Sequence, residues 1–429
     1  MTMNRGQSTV KKMGGWARRM LQGAVVVAVA ASVPSAWSAG GVQINNVAHG
    51  VAAMSQAGNV TTIRTGSQNT VINFQRLSVG AGETLQFLQP NSTSRVLNRI
   101  QGPEPTAIDG TLLSNGRVYI VNPAGVIFGN GAVVNVGGLY AAAGHISDAN
   151  FMAGINQFTG NSGAVQNYGV IQASEIHLVG ASVANFGQIL ASADGGGIVT
   201  MTSGKDVYIG ESESPTGKTS VMVKVSSDAS ATKDGTGVSN SGKVDAGAGA
   251  IYMGAGDLYA AGIYNNGSLK ASQISLSSHA NTNVNEGTID ASNAHGKGGD
   301  IEMTGDKVGV FKGTVDASGD TGGGTIKIGG DFHGASGTQA ASVTIVGPDA
   351  KITANGGSSG DGGSVAVWSN ETTLFYGEVD ARGGIFGGNG GFVEVSGKQN
   401  LGFFGMVNVG ADHGTLGAIL LDPSDITIQ

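Results

Sequence analysis

Asn167-Tyr168-Gly169-Val170-Ile171-Gln172-Ala173 is followed almost at once by Asn185-Phe186-Gly187-Gln188-Ile189-Leu190-Ala191. The phrase they share, Asn-x-Gly-x-aliphatic-polar-Ala, returns at Asn240–Ala246, Asn266–Ala271, Asn285–Ala291, Phe311–Ala317 and Phe375–Ala381. Neighbouring copies commonly lie about 18 to 28 residues apart, the period of stacked structural repeats. Between them run alternating segments such as Glu175-Ile176-His177-Leu178-Val179, Asp300-Ile301-Glu302-Met303, Thr325-Ile326-Lys327-Ile328 and Phe392-Val393-Glu394-Val395. Alternation puts the aliphatic side chains on one face of a strand and the polar ones on the other. One such strand cannot bury its apolar face, but stacked coils can, by wrapping inward residues around a shared axis. The reading is therefore an all-β, right-handed parallel β-helix (β-solenoid) with an N-terminal cap. Glycine at the corners is expected to supply the positive φ of tight turns, and His177 to face solvent.

Composition agrees. Of 429 residues, 75 are Gly and only 8 Pro, with 40 % hydrophobic and 12 % charged residues. Collagen needs glycine at every third position, and this apolar content is too high for a disordered chain. No ten-residue stretch beyond the start shows a helical period, which disfavours an α/β fold. There is no cysteine, so stability must come from packing and hydrogen bonds.

Residues 1–38 are expected to be a signal peptide for Sec export through the periplasm. Arg5, Lys11, Lys12, Arg18 and Arg19 give a basic start, and Gly23–Val33 is an uncharged apolar run too short to span a bilayer. Ala36-Trp37-Ser38 provides small residues for cleavage. Removing these five basic residues from 23, against 30 acidic ones, leaves 18 against 30 and a net charge of −12. Such a chain is a poor ligand for nucleic acid. The polar stretch 210–237, containing Glu211-Ser212-Glu213-Ser214-Pro215, is expected to be a solvated loop inserted between residues 39–209 and a glycine-rich repeat shaft, 238–429.

A more specific likeness covers Gly41 to His145. Asn69-Thr70-Val71-Ile72-Asn73-Phe74 leads to Val79-Gly80-Ala81-Gly82-Glu83-Thr84-Leu85, then Val96-Leu97-Asn98-Arg99-Ile100 and Asn115-Gly116-Arg117-Val118-Tyr119-Ile120-Val121-Asn122-Pro123-Ala124-Gly125-Val126-Ile127-Phe128-Gly129. This ordered series resembles the N-terminal secretion domain of the filamentous haemagglutinin family, in its high-molecular-weight adhesin branch. The resemblance implies a secreted, surface-exposed adhesin and no enzyme. It also implies export by an outer-membrane two-partner secretion transporter of the Omp85 (TpsB) class, whose POTRA domains read the N-terminal domain. The N-terminal part of a cytolysin or contact-dependent toxin is the alternative within the family. The family's Asn-Pro-Asn-Gly-Ile secretion motif maps onto Asn122, Pro123, Gly125 and Val126, with Ala124 departing from the third position. Asn before Pro is held extended, Pro presets φ and Gly accepts a left-handed turn, so the motif is either a transporter contact or a folding corner. A second family motif, Asn-Pro-Asn-Leu, has only a distant echo in Gln89-Pro90-Asn91-Ser92.

Residues for catalysis, metal or cofactor do not assemble in the sequence, and no cofactor is expected. A β-helix lyase or hydrolase needs convergent acids in a groove; Asp245, Asp290, Asp316 and Asp380 instead recur at one repeat position, without evident basic neighbours. They would form an outward cation-binding ladder or, more simply, solvated turn residues. The seven histidines share no metal-ligand spacing. The chain stops at Gln429 directly after the strand-like Ile426-Thr427-Ile428, with no polar capping repeat, so the sequence is expected to be part of a longer exoprotein of unidentified receptor.

Overall fold

The computed structural model describes residues 41–191, 195–213, 219–226, 232–256, 258–335 and 339–428, so the expected signal peptide lies outside the described residues. Within them the chain winds as a parallel β-helix with three faces per coil. One coil shows the plan: Glu175–Gly180 on the first face, Ser182–Asn185 on the second, Gln188–Ala191 on the third, then Ile198–Ser203 back on the first. The first face is a 14-stranded sheet. The other two merge into one array because Lys307–Asp316 and Val343–Thr353 run through their shared corner unbroken.

Register makes the core. Ile176, Val199, Ile251, Ile274, Ile301, Ile326, Val365 and Val393 are successive partners on the first face. Each is at most 2 % exposed, and each such burial contributes about 1.5–3 kcal/mol. Only the beginning is antiparallel along these faces. Gly41–His49 lies antiparallel on Asn69–Ser78, and the hairpin Ala52–Ala57/Val60–Thr65 sits beside it, with Val42, Ile44 and Ala52 packed on the end of the core. That is the N-terminal cap.

The asparagines of the repeat form a buried ladder. Asn167, Asn185, Asn240, Asn265 and Asn285 are register partners at the corner between the second and third faces. Each Nδ2 donates to the next Oδ1, at 2.8, 2.8, 2.9 and 2.7 Å. All five are fully buried, so each amide needs these partners. The sequence phrase beginning at Asn266 starts one residue late, since Asn265 is the ladder member and Asn266 is exposed. After Asn285 the column turns apolar through Val310 and Val346 to Phe375, whose ring stacks on Phe403 at 5.3 Å. The copy Phe311–Ala317 carries one extra residue, since Asn285 pairs with Val310 while Thr288 pairs with Thr314.

Glycine supplies positive φ at turns such as Gly82, Gly125, Gly247 and Gly313, as expected, but at most copies of the repeat phrase it serves a different purpose. Gly169, Gly187, Gly242, Gly267 and Gly287 do not have positive φ. They are glycines because a Cβ at Gly187, Gly242, Gly267 or Gly287 would lie well under 3.0 Å from the carbonyl oxygen of the glycine one coil earlier. Close approach between coils, rather than turn geometry, excludes a side chain there.

The four aspartates do not make an acidic ladder. Their column reads Asp245, Lys270, Asp290, Asp316, Thr353, Asp380, so a lysine and a threonine interrupt it. Basic partners do recur beside them: Lys243–Asp245 at 3.0 Å, Lys270–Asp290 at 3.2 Å and Lys351–Asp380 at 3.6 Å. Asp245, Asp290 and Asp316 also accept the backbone N–H two residues on, at 3.0, 2.9 and 2.8 Å, which closes the turn. Partial burial raises the Asp245 and Asp290 carboxyls. The hydrogen bonds from Lys243 and Gly247, and from Ser292 and Lys270, outweigh it and hold both below the usual value.

Asn265→Ala is expected to lower stability by about 3 kcal/mol, because it strands the amide groups of both neighbours. Asn266→Ala, one residue away, should change it by less than about 0.5 kcal/mol. Urea midpoints of the purified protein compare them, and equal midpoints would remove the ladder from the stability of the fold. Folded-state pKa values below the ordinary 3.8 mean that Asp245 and Asp290 stabilise the fold above about pH 4, and that this is lost as pH falls through their folded values. The double variant Asp245→Asn/Asp290→Asn should flatten the acid limb of a stability–pH curve by about 1 kcal/mol.

Candidate functional site

The coils that carry the family resemblance have a second apolar cluster on the outside of the first face. Val71, Leu97, Tyr119, Tyr140 and His177 are successive outward partners. The Tyr119 and Tyr140 rings stack at 4.1 Å and 1°, and His177 stacks on Tyr140 at 4.4 Å. Tyr119 donates to Asn156 Oδ1 at 2.9 Å, and burial, with the nearby Glu175 carboxylate, pushes its phenol far above the usual range. His177 is fully buried, with Nδ1 2.9 Å from Thr200 Oγ1, and does not face solvent as expected. Alternation assigned its side of the strand correctly, but that side is covered.

Two elements cover it. The short helix Asp148–Ala153, capped by Ser147 and closed by Gly154 at φ 77°, presses Phe151 edge-on to Tyr119 at 5.1 Å. The strands Asp206–Glu213 and Thr219–Ser226 pair antiparallel with each other and, through Val207–Ile209, with Asn156–Phe158. The described part of the stretch expected as a polar loop is therefore largely strand. Just before that stretch Val207 and Ile209 are buried on the cluster, and within it Val223 and Val225 are partly so, alternating with the exposed Met222 and Lys224. The hairpin also explains why Asn185 and Asn240 are 55 residues apart when other ladder steps are 18, 25 and 20.

The helix is tied back to the cap. Arg99 donates to the Ile146 carbonyl at 3.0 Å and pairs with Asp148, whose other oxygen lies 3.0 Å from His49 Nε2 on the capping strand. Burial raises the Asp148 carboxyl, but the Arg99 guanidinium and then His49 bring it below its usual value. Arg95 lies over the Phe151 ring at 5.3 Å.

The motif residues Asn122, Pro123, Gly125 and Val126 turn the chain from strand Arg117–Val121 on the first face to Val126–Phe128 on the second. Asn122 is fully buried: its Nδ2 donates to the Glu104 carbonyl at 2.9 Å and to Thr106 Oγ1 at 3.1 Å, while its Oδ1 accepts from Ala124 N–H at 3.0 Å. The Gly125 N–H closes a turn onto the Asn122 carbonyl at 2.9 Å, at φ 120°, and a Cβ there would be 2.9 Å from the Ala164 carbonyl oxygen. Val126 is buried and Pro123 half-buried; of the five, only Ala124 is exposed. The echo at Gln89–Ser92 is another corner, in which Gln89 and Asn115 exchange two 2.8 Å hydrogen bonds. The sequence reading missed the aromatic column. Its signal was present, since three ring-bearing residues recur at outward positions of strands and such positions are seldom left uncovered.

Comparison with known proteins gives this arrangement its family. The family model of the TPS (two-partner secretion) secretion domain matches residues 40–345. The crystal structure of the HMW1 secretion domain from Haemophilus influenzae superposes with a TM-score of 0.70 at 27 % identity, covering 91 % of this chain and 100 % of that one. Two heme/hemopexin-binding proteins of Haemophilus influenzae are 34 % identical over 164 residues and 36 % identical over 98, spans of 36 % and 23 % of this chain. Those spans make up 18 % and 11 % of the relatives' own length. A capped β-helix with this family match over most of its length belongs to the two-partner secretion domains.

Proposed function

We propose that this chain is the secretion domain and first shaft coils of a surface-exposed adhesin. A dedicated outer-membrane pore of the Omp85 class, through its POTRA domains, reads the N-terminal coils during export. As a TPS secretion domain the chain works with a partner transporter. The observation that carries the reading is the capped, decorated start of the solenoid joined without interruption to repeats that continue the same core. Each coil contacts only its neighbours, so a chain emerging from a pore can add coils one at a time on a finished N-terminal template. The ligand named for the heme/hemopexin-binding relatives belongs to proteins of which this chain covers less than a fifth, and it enters no step of this reading.

The corner Asn122–Val126 acts here as a folding element. Its specific side chain, Asn122, is used up in three internal hydrogen bonds, and the exposed position, Ala124, lacks the family's third-position asparagine.

Deleting Gly41–His145 should leave the remainder in the periplasm of cells that express the pore partner; normal secretion of the deletion would end the export reading. Asn122→Ala should lose about 3 kcal/mol of stability and secretion together, whereas Ala124→Lys should change neither. An Asn122→Ala protein with an unshifted urea midpoint that is still not secreted would make the corner a transporter contact instead.

A further inference from the structure

Beyond the hairpin, the outer side of the first face lies open. Five successive strands, from Ile198–Ser203 to Thr325–Ile328, line a groove of about 420 Å³, within the size range of small-ligand sites. Four rung spacings of about 4.8 Å make it about 19 Å long. Tyr252, Ser275, Glu302 and Lys327 follow one another along one column, with Gln273 and Asp300 beside them in the next. Lys327 is engaged by Asp331 at 2.7 Å, so the free charge of the groove is that of the two carboxylates.

The tyrosine is placed with care. A Cβ on Gly254 would come 2.5 Å from Tyr252 Cε1, so the glycine lets the ring lie down along the strand rather than stand away from it. Burial raises the Tyr252 phenol, outweighing the lowering by its hydrogen bond with Ser277, and the Glu302 carboxylate adds to the rise. The backbone here is already paired to the coils on both sides, so a peptide strand finds no main-chain partners. Recognition has to run through side chains: a flat ring on one rung, an amide and a hydroxyl on the next, and two carboxylates on the third. A ring face takes the apolar C–H face of a pyranose. Carboxylate and amide groups take adjacent hydroxyl pairs, and a rung is close to the length of one sugar unit. Negative charge turns away acidic glycans.

The geometry points to a binding groove for a neutral, linear oligosaccharide of about four units on the coils 198–328. This deepens the adhesin reading by naming a class of receptor, and rests on that reading only for its setting outside the cell.

Saturation-transfer NMR and calorimetry on the purified mature chain, with cellotetraose, chitotetraose, maltotetraose and the anionic tetragalacturonate, test it. At least one neutral tetrasaccharide should bind with Kd below about 1 mM. Tyr252→Ala, Gly254→Ala and the exposed-site variants Gln273→Ala and Asp300→Asn should each weaken it tenfold or more with an unchanged circular dichroism spectrum. The proposal is overturned if no neutral tetrasaccharide binds by about 10 mM, if the anionic one binds best, or if Gln273→Ala and Asp300→Asn both bind like wild type. Binding by the purified chain tests the groove without any export step. Retained adherence of cells carrying a binding-dead groove would count against the groove as the receptor site while leaving export intact.

Discussion

Everything in this fold follows from one constraint: each coil must hydrogen-bond to the next in register, at a spacing of about 4.8 Å. Once that is imposed, every residue sits directly on its counterpart one coil away, and every column must be able to tolerate itself. Aliphatic columns do so by packing. Asparagine columns do so because an amide carries both donor and acceptor, and five in a row pass one hydrogen bond along the corner. Glycine columns do so by having nothing to collide. Like charges do so less readily, and the aspartate column is interrupted by Lys270 and Thr353, leaving Asp290 on Asp316 as its one adjacent pair.

The same constraint explains which parts of the fold were legible. Alternation in Glu175–Val179 or Phe392–Val395 gives the inward residues directly, because the core lies on one side of every strand. The repeat phrase gives the corner. What single-strand reasoning cannot give is the identity of the vertical neighbour. The corner glycines looked like turn residues because their partner in the collision is 18 to 55 residues away. Asp290 looked unaccompanied because its lysine, Lys270, lies a coil earlier. His177 was assigned to the correct face, but the cover on that face comes from Asp206–Ser226, a segment whose composition reads as loop. Long-range register, rather than local propensity, decided each of these.

The three corners of the coil are not equivalent. The corner between the second and third faces is fixed by the asparagine ladder and its glycines. The corner between the third and first faces carries glycine-rich loops that hydrogen-bond to one another, as Gly357 N–H to the Gly319 carbonyl and Gly384 N–H to the Gly360 carbonyl do. The corner between the first and second faces is also bonded from coil to coil, as Gly204 N–H to the Gly180 carbonyl and Gly256 N–H to the Ser203 carbonyl show, but it is where the chain leaves the coil. The segment with helix Asp148–Ala153, the hairpin Asp206–Ser226 and the short turn Phe332–Gly334 all depart from it and return to it. The first two fold back over the outside of the first face, and the third is fastened there through Asp331 to Lys327 and by the His333 N–H to buried Glu394 at 2.8 Å.

Where the chain makes no such departure, the face is covered only in part. After Ala250–Ala255, Gln273–Ser278 and Asp300–Thr304 the next strand begins within a few residues, at Leu258, Thr282 and Lys307. No insertion follows these three strands, and the groove along Tyr252, Ser275 and Glu302 remains, with Val225 of the hairpin packed close to Gly256 at its edge. Tyr252 lies over Gly254, where a Cβ would be 2.5 Å from the ring, as Phe311 lies over Gly309 and Phe404 over Gly402. The coils can accept insertions at this corner at small entropic cost. The middle three strands of the groove carry no insertion, whereas its outer two, Ile198–Ser203 and Thr325–Ile328, are followed by the hairpin and by the Phe332–Gly334 turn.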